Sequence, residues 1–103
     1  MHVISRRALR TFWEKHPPAK ISLAAWFRIL ESGEFVDFNA IKRAFRAADY
    51  LAPYTIFDVG GNKYRVITVI HYNRQCVYIR NVFTHPEYDV WSDEMRMTKR
   101  SKR

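Results

Sequence analysis

The chain has a single cysteine and three glycines, no long hydrophobic run, and no acid in its last eight residues. Cys76 has no second cysteine to pair with, and a small domain without bridges fits a reducing compartment better than an oxidising one. No segment approaches the about 18 consecutive apolar residues that a membrane span requires. The opening Met1 to Arg7 has no apolar stretch behind its basic residues, as a secretory leader would need. A soluble cytoplasmic protein without membrane attachment is therefore expected. The chain also lacks any Cys-x-x-Cys pair, and His2, His16, His71 and His85 are too far apart to share helical ligand spacing. Glu87, Asp89, Asp93 and Glu94 follow no calcium-loop pattern. Gly60-Gly61-Asn62 runs into a strand pattern, whereas a phosphate-cradling loop runs into a helix, so it reads as a turn. Neither a metal nor a cofactor is expected.

What is present is apolar and basic. The 103 residues make one domain, 48% of them are hydrophobic, and seven Phe, six Tyr and three Trp suffice for a core without staples. Disorder of the whole chain is excluded on the same ground. Eighteen Lys and Arg against ten Asp and Glu give a net charge of +8, which suits a polyanionic partner. Five of those cations (Arg96, Lys99, Arg100, Lys102, Arg103) lie in the last eight residues, so the body of the chain is only mildly basic. The division expected is a domain over residues 1–92 and a basic tail over 93–103.

Helical periodicity fills the first half and strand periodicity most of the second. His2-Val3-Ile4 reads as a short strand. Ser5 caps a helix from Arg6 to His16 with Leu9, Phe12, Trp13 and His16 on one face. After Pro17-Pro18 a second helix is expected from Ala19 to Ser32, with Leu23, Trp26, Phe27 and Leu30 inward and Gly33 as its C-terminal cap. Asp37 or Asn39 caps a brief third helix through Phe45, with Ile41, Ala44, Phe45 and Ala48 inward. Three strands follow, Tyr54 to Val59, Tyr64 to Tyr72 and Gln75 to Phe83, joined by turns at Gly60-Gly61-Asn62 and Asn73-Arg74. The fold class is α+β: a small antiparallel sheet with the N-terminal helices packed on one face and the other face open.

Alternation puts Lys63, Arg65, Ile67, Val69 and His71 on one face of the middle strand, opposite Tyr64, Val66, Thr68 and Ile70. On the last strand Cys76, Tyr78, Arg80 and Val82 share a face, while Val77, Ile79 and Phe83 read as core. Lys63, Arg65, Tyr78 and Arg80 then lie together on the open face. Guanidinium forks bind phosphate bidentately and aromatic rings stack on bases, so RNA or another single-stranded nucleic acid is the partner this face suits. Lys99 and Arg100 extend the basic surface into the tail.

The opening Met1 to Leu9 with Phe12-Trp13-Glu14-Lys15, the stretch Val59-Gly60-Gly61-Asn62-Lys63-Tyr64-Arg65-Val66, and the ending Val77-Tyr78-Ile79-Arg80 through Thr84-His85-Pro86-Glu87-Tyr88-Asp89 resemble HigB-type toxins of the RelE superfamily. The resemblance runs in order over about residues 1–90. It implies a RelE-like fold and a ribosome-dependent, metal-independent mRNA endonuclease that inhibits translation. It also implies a HigA-type helix-turn-helix antitoxin as partner, and contacts to 16S rRNA on the ribosome. Carried over by position, Arg65 matches the middle-strand arginine that holds the scissile phosphate. His85 matches the catalytic His or Arg after the last strand, and Tyr88 the C-terminal catalytic or base-stacking aromatic. Lys63 and Arg80 are added cations, whereas Arg74 in its turn and His71 at the far strand end fall outside the primary site.

These residue types suit attack of an RNA 2′-OH on the adjacent phosphate, which needs in-line geometry, proton transfer and charge compensation. Arg65, with Arg80 and Lys63, would stabilise the non-bridging oxygens. His85 would act as general acid or base, imidazole titrating ordinarily near about 6.5, and Tyr88 would orient a nucleotide or share the proton transfer. The products expected are a 2′,3′-cyclic phosphate or its 3′-phosphate descendant, and a 5′-OH. Each residue also has a plainer role: His85 capping a turn, Tyr88 packing on the sheet edge, Arg65 pairing with Asp58, Cys76 as a small buried hydrophobe. Two rival functions follow, a non-catalytic RNA- or ribosome-binding module and a degenerate toxin that retains only antitoxin binding.

Overall fold

The computed structural model describes the backbone of residues 1–101 and the side chains of residues 1–98. The proposed contacts of Lys99, Arg100, Lys102 and Arg103 lie outside the described side chains. Strand β1 (His2–Ile4) leads into helix α1 (Arg6–Lys15), where Ser5 stands in extended backbone at the N-cap but makes no side-chain capping bond. Pro17–Ala19 forms one 3-10 turn, and α2 (Lys20–Ser32) buries Leu23, Trp26 and Leu30. Gly33 follows in extended backbone rather than as a left-handed cap. Between the two candidate caps of α3 (Phe38–Ala44) the structure selects Asp37, whose Oδ1 accepts from Ala40 N at 2.9 Å. Ile41 faces inward as expected, whereas Ala44 is exposed.

Strands β2 (Asp49–Leu51), β3 (Tyr54–Val59), β4 (Tyr64–His71) and β5 (Cys76–Thr84) complete a mixed sheet in the order β1-β5-β4-β3-β2. The expected meander is its centre. It gains a three-residue strand on each side: β1 runs parallel to β5 with Val3 opposite Val77, and β2 antiparallel to β3 with Tyr50 opposite Thr55. The main core lies between the N-terminal helices and one sheet face. Trp26 and Phe45 both set their rings edge-on to Phe57, at 5.2 and 5.1 Å between centroids, and Phe12 meets Tyr64 at 5.7 Å. Leu9, Leu23 and Leu30 fill the space around them without solvent exposure. Truncating one of these to Ala costs about 2–5 kcal/mol by lost transfer energy and cavity formation.

The second face is not open along its length. Residues 85–101 form a 17-residue helix α4 (His85–Ser101) that continues without a break through residue 92, where the basic tail was expected to begin. Trp91 on α4 packs on Tyr54 of β3 at 5.3 Å and on Phe83 of β5 at 6.1 Å. Ile56 and Ile67, which alternation puts on this same face, are 2% and 0% exposed. A second, smaller core therefore lies under α4.

The facing of β5 also departs from simple alternation. Ile67 of β4 lies opposite Asn81 and the next residue, Thr68, opposite Ile79, which leaves Arg80 as an extra residue in a β-bulge. Beyond the bulge the facing inverts. Val82 packs toward the main core instead of sharing the face of Arg80, and Phe83, expected in that core, turns to the opposite face against Trp91.

Candidate active site

The hairpin between β3 and β4 is formed by Gly60, Gly61 and Asn62, all at positive φ (71°, 60° and 76°). Two glycines and an asparagine are the residues that tolerate this conformation at least cost. The turn brings Asn62 back over the strand, where its side-chain oxygen accepts a short hydrogen bond from Arg65 Nη2. Arg65 Nη1 donates to Asp58 Oδ1, directly across the ladder, at 3.1 Å and to the Tyr64 carbonyl at 3.3 Å. The Arg65 and Asp58 side chains are only 12% and 19% exposed, so this pair is screened far less than a surface ion pair. The ring of Tyr88 lies over the guanidinium, 5.1 Å from Arg65 Cζ. The plainer pairing of Arg65 with Asp58 is thus real, and it holds the guanidinium rigidly beneath Tyr88.

Helix α4 begins where this cluster ends. Thr84 and Glu87 make the carboxylate half of a capping box: Glu87 Oε1 accepts from Thr84 N at 2.8 Å and from Thr84 Oγ1 at 3.0 Å. The Thr84 backbone N–H, more than any other group, holds the Glu87 carboxyl below its ordinary value of 4.5, with smaller help from the Thr84 hydroxyl and from His16 against the opposing effect of burial. The His85 backbone N–H donates to the Lys63 carbonyl at 3.0 Å, tying the helix start to the hairpin. One turn later Asp89 Oδ2 stands 3.1 Å from His85 Nδ1. Asp89 was not among the residues expected to act, although its spacing of four from His85 on a helix is a readable signal once Thr84-x-x-Glu87 is taken as a helix start.

Lys63 is exposed beside this cluster. Tyr78 and Arg80 lie further along the same sheet face, where with Val69 and His71 they line a shallow cleft of about 350 Å³. The His71 and Tyr78 rings meet edge to face, 5.3 Å apart at 89°. Arg80 also reaches the rim of a second cleft, of about 560 Å³, between α1 and β5, whose other polar residues include Arg7, Lys15, His16 and Glu87. The structure therefore stacks Arg65 under Tyr88 and ties the backbone of His85 to that of Lys63 at the same end of the sheet, and keeps Tyr78 and Arg80 as a separate group. Among the described residues no three His, Cys, Asp or Glu side chains converge as a metal site, and no helix is long and apolar enough to cross a membrane.

A cation stacked under an aromatic ring beside a carboxylate-held histidine is equipped to orient a phosphodiester and to move a proton. Comparison with known proteins places the chain in a family. Residues 19–91 match the family model of HigB toxin, described as the RelE-like toxic component of a toxin-antitoxin system. The chain is 37% identical over 95 residues to the mRNA interferase toxin HigB of Escherichia coli K12, covering 89% of this chain and 91% of that protein. It is 28% identical over 92 residues to the mRNA interferase HigB of Escherichia coli O6:H1, covering 86% and 89%. With a family model spanning most of its length and a relative of this identity aligned nearly end to end, the chain belongs to the HigB toxin family of the RelE-like toxins.

Proposed function

We propose that this protein is the toxin of a toxin–antitoxin pair and acts as an endoribonuclease on mRNA. The observation that carries the reading is the convergence of Arg65, Tyr88 and the His85–Asp89 pair where the β3–β4 hairpin meets the start of α4. In this reading the scissile phosphate approaches the Arg65 N–H groups not already given to Asp58, Tyr64 and Asn62, with Lys63 adding charge from the hairpin. Tyr88 presents the outer face of its ring to a nucleotide and fixes the backbone for in-line attack of the 2′-OH. His85, its Nδ1 held by Asp89, exchanges a proton through Nε2 with the attacking or the leaving oxygen. The O2′–P bond forms as the P–O5′ bond breaks, leaving a 2′,3′-cyclic phosphate and a 5′-OH. Arg80 and Tyr78 contribute binding rather than chemistry, since they lie apart from the cluster.

The basic surface fits action on mRNA held by the ribosome, with 16S rRNA as an additional contact, in the cytoplasm. A HigA-type antitoxin with a helix-turn-helix domain is the partner proposed to silence it. The test is induced expression of the wild type, His85→Ala and Tyr88→Ala in growing bacteria, with 5′ ends of cellular mRNA mapped soon after induction. Growth arrest with new 5′-OH ends inside translated frames, lost in both variants, is the expected result. A folded, soluble wild type that produces neither arrest nor new ends would refute the nuclease reading and leave a binding module or an inactive toxin.

A further inference from the structure

The cleft formed by Val69, His71, Tyr78 and Arg80 has no structural task that accounts for its composition. His71 is exposed and Tyr78 half-buried, their rings contact each other, and among the described residues neither side chain has a hydrogen-bonding or charged partner. Val69 lies directly opposite Tyr78 across the ladder and floors the space between them, while Arg80 is pushed out at the rim by the bulge. The packing of α4 runs over Tyr54, Ile56, Ile67 and Phe83, so this end of the face is left uncovered. An apolar floor, an aromatic wall and a single guanidinium at the edge match one nucleotide: base on ring, phosphate on cation.

The position fits the same reading. Arg65 and Val69 share a face of β4 and are four residues apart, so about 13 Å separates the cleft from the Arg65–Tyr88 cluster. That distance exceeds the reach of the scissile nucleotide and is bridged by the exposed Asn81 and Arg80 of β5. We propose that Val69, His71, Tyr78 and Arg80 form a second nucleotide subsite, in which a base flanking the cleavage point stacks on Tyr78 beside His71 and its phosphate meets Arg80. The subsite rests on the RNA-cleaving reading above and adds to it a determinant of which flanking nucleotide is accepted. Tyr78 and His71 are positioning residues here, because they touch substrate away from the bond that breaks.

The test is a cycle between protein and RNA, using the full chain and ribosomes programmed with synthetic mRNA in which each nucleotide flanking the cleavage point is made abasic in turn. Tyr78→Ala is expected to raise KM about ten-fold with little change in kcat, and Tyr78→Phe to stay within about two-fold of wild type. At one flanking position the abasic RNA should raise KM for wild type by a similar factor and leave Tyr78→Ala unaffected. If every abasic penalty persists undiminished in Tyr78→Ala, or if that variant loses kcat at unchanged KM, the subsite is refuted. His71→Ala, at an exposed position, repeats the comparison should Tyr78→Ala fold poorly, with a smaller KM increase expected and an unchanged KM overturning the assignment. Failure of the underlying reading has a different signature, no cleavage of the programmed mRNA by the folded wild type, and would remove the subsite with it.

Discussion

Asp89 Oδ2 lies 3.1 Å from His85 Nδ1, one helical turn further along α4, and so fixes which imidazole nitrogen faces outward. Both side chains are substantially exposed, at 40% and 59%, which makes this an orienting contact rather than a large contribution to stability. Asp89→Asn is expected to lower kcat about ten-fold and to leave thermal stability within about 0.5 kcal/mol of wild type. Single-turnover cleavage alongside thermal melts distinguishes this from a folding defect. An unchanged kcat would remove Asp89 from the mechanism.

The Arg65–Asp58 pair behaves differently because it is largely shielded from water. Asp58→Asn keeps the shape but removes the charge opposite the guanidinium, and is expected to cost about 2 kcal/mol in urea unfolding. The site becomes more positive and less rigid, so KM for mRNA should fall while kcat also falls. A variant as stable as wild type would show that Asn62 and the Tyr64 carbonyl hold Arg65 without Asp58.

Glu87 ties the start of α4 to pH. Its carboxyl is held below 4.5 in the folded chain, so the stabilisation it supplies is complete above that value and is lost as the pH falls through the lowered one. Helical content from α4 should therefore decline on acidification below about pH 4.5. Glu87→Gln should flatten that decline, as followed by circular dichroism across a pH series. An acid transition identical in the variant would assign it to other carboxylates.

Trp91 anchors α4 by touching Tyr54, Phe83 and Tyr88 together. Trp91→Ala is expected to cost about 3–5 kcal/mol if the contacts act as core packing. The damage should concentrate at α4 and the Tyr88 side of the site, while the main core under α1 and α2 stays protected. Hydrogen exchange reads that pattern directly, and uniform loss of protection would contradict the separation into two cores.

The helices and central strands were legible because each carries a strong period: Leu9, Leu23, Trp26 and Leu30 on the one hand, the alternation of β3 and β4 on the other. Helix α4 was not, since its apolar residues are few and irregular, with Val90 and Met97 facing solvent. Its one clear local signal was the Thr84-x-x-Glu87 box, which the family resemblance had absorbed into a motif. His2–Ile4 was readable as a strand but not its parallel place beside β5, and β2, at three residues, is too short to carry a period and takes its form from pairing with β3. At the site Arg65 is legible from strand alternation, His85 and Tyr88 only through the resemblance, and the Asp58 pairing from the hairpin register. The separation of Tyr78 and Arg80 from Arg65 depended on where α4 crosses, which no single segment records.

The bulge at Arg80 acts on the parity of the chain. A strand assigns its side chains to two sides as odd and even, and one surplus residue exchanges the labels for everything downstream. Were Arg80 held in a regular ladder instead of bulged out, Phe83 would point toward the main core, and Trp91 would lose the partner over which it seats the last helix. The side of the sheet on which Tyr88 meets Arg65 is thus set by a count of one in β5, in a strand whose composition alone gives no hint of it. Deleting Arg80 should therefore leave every later residue on its own side of the sheet, since the ladder closes up regularly with Phe83 still opposite Arg65.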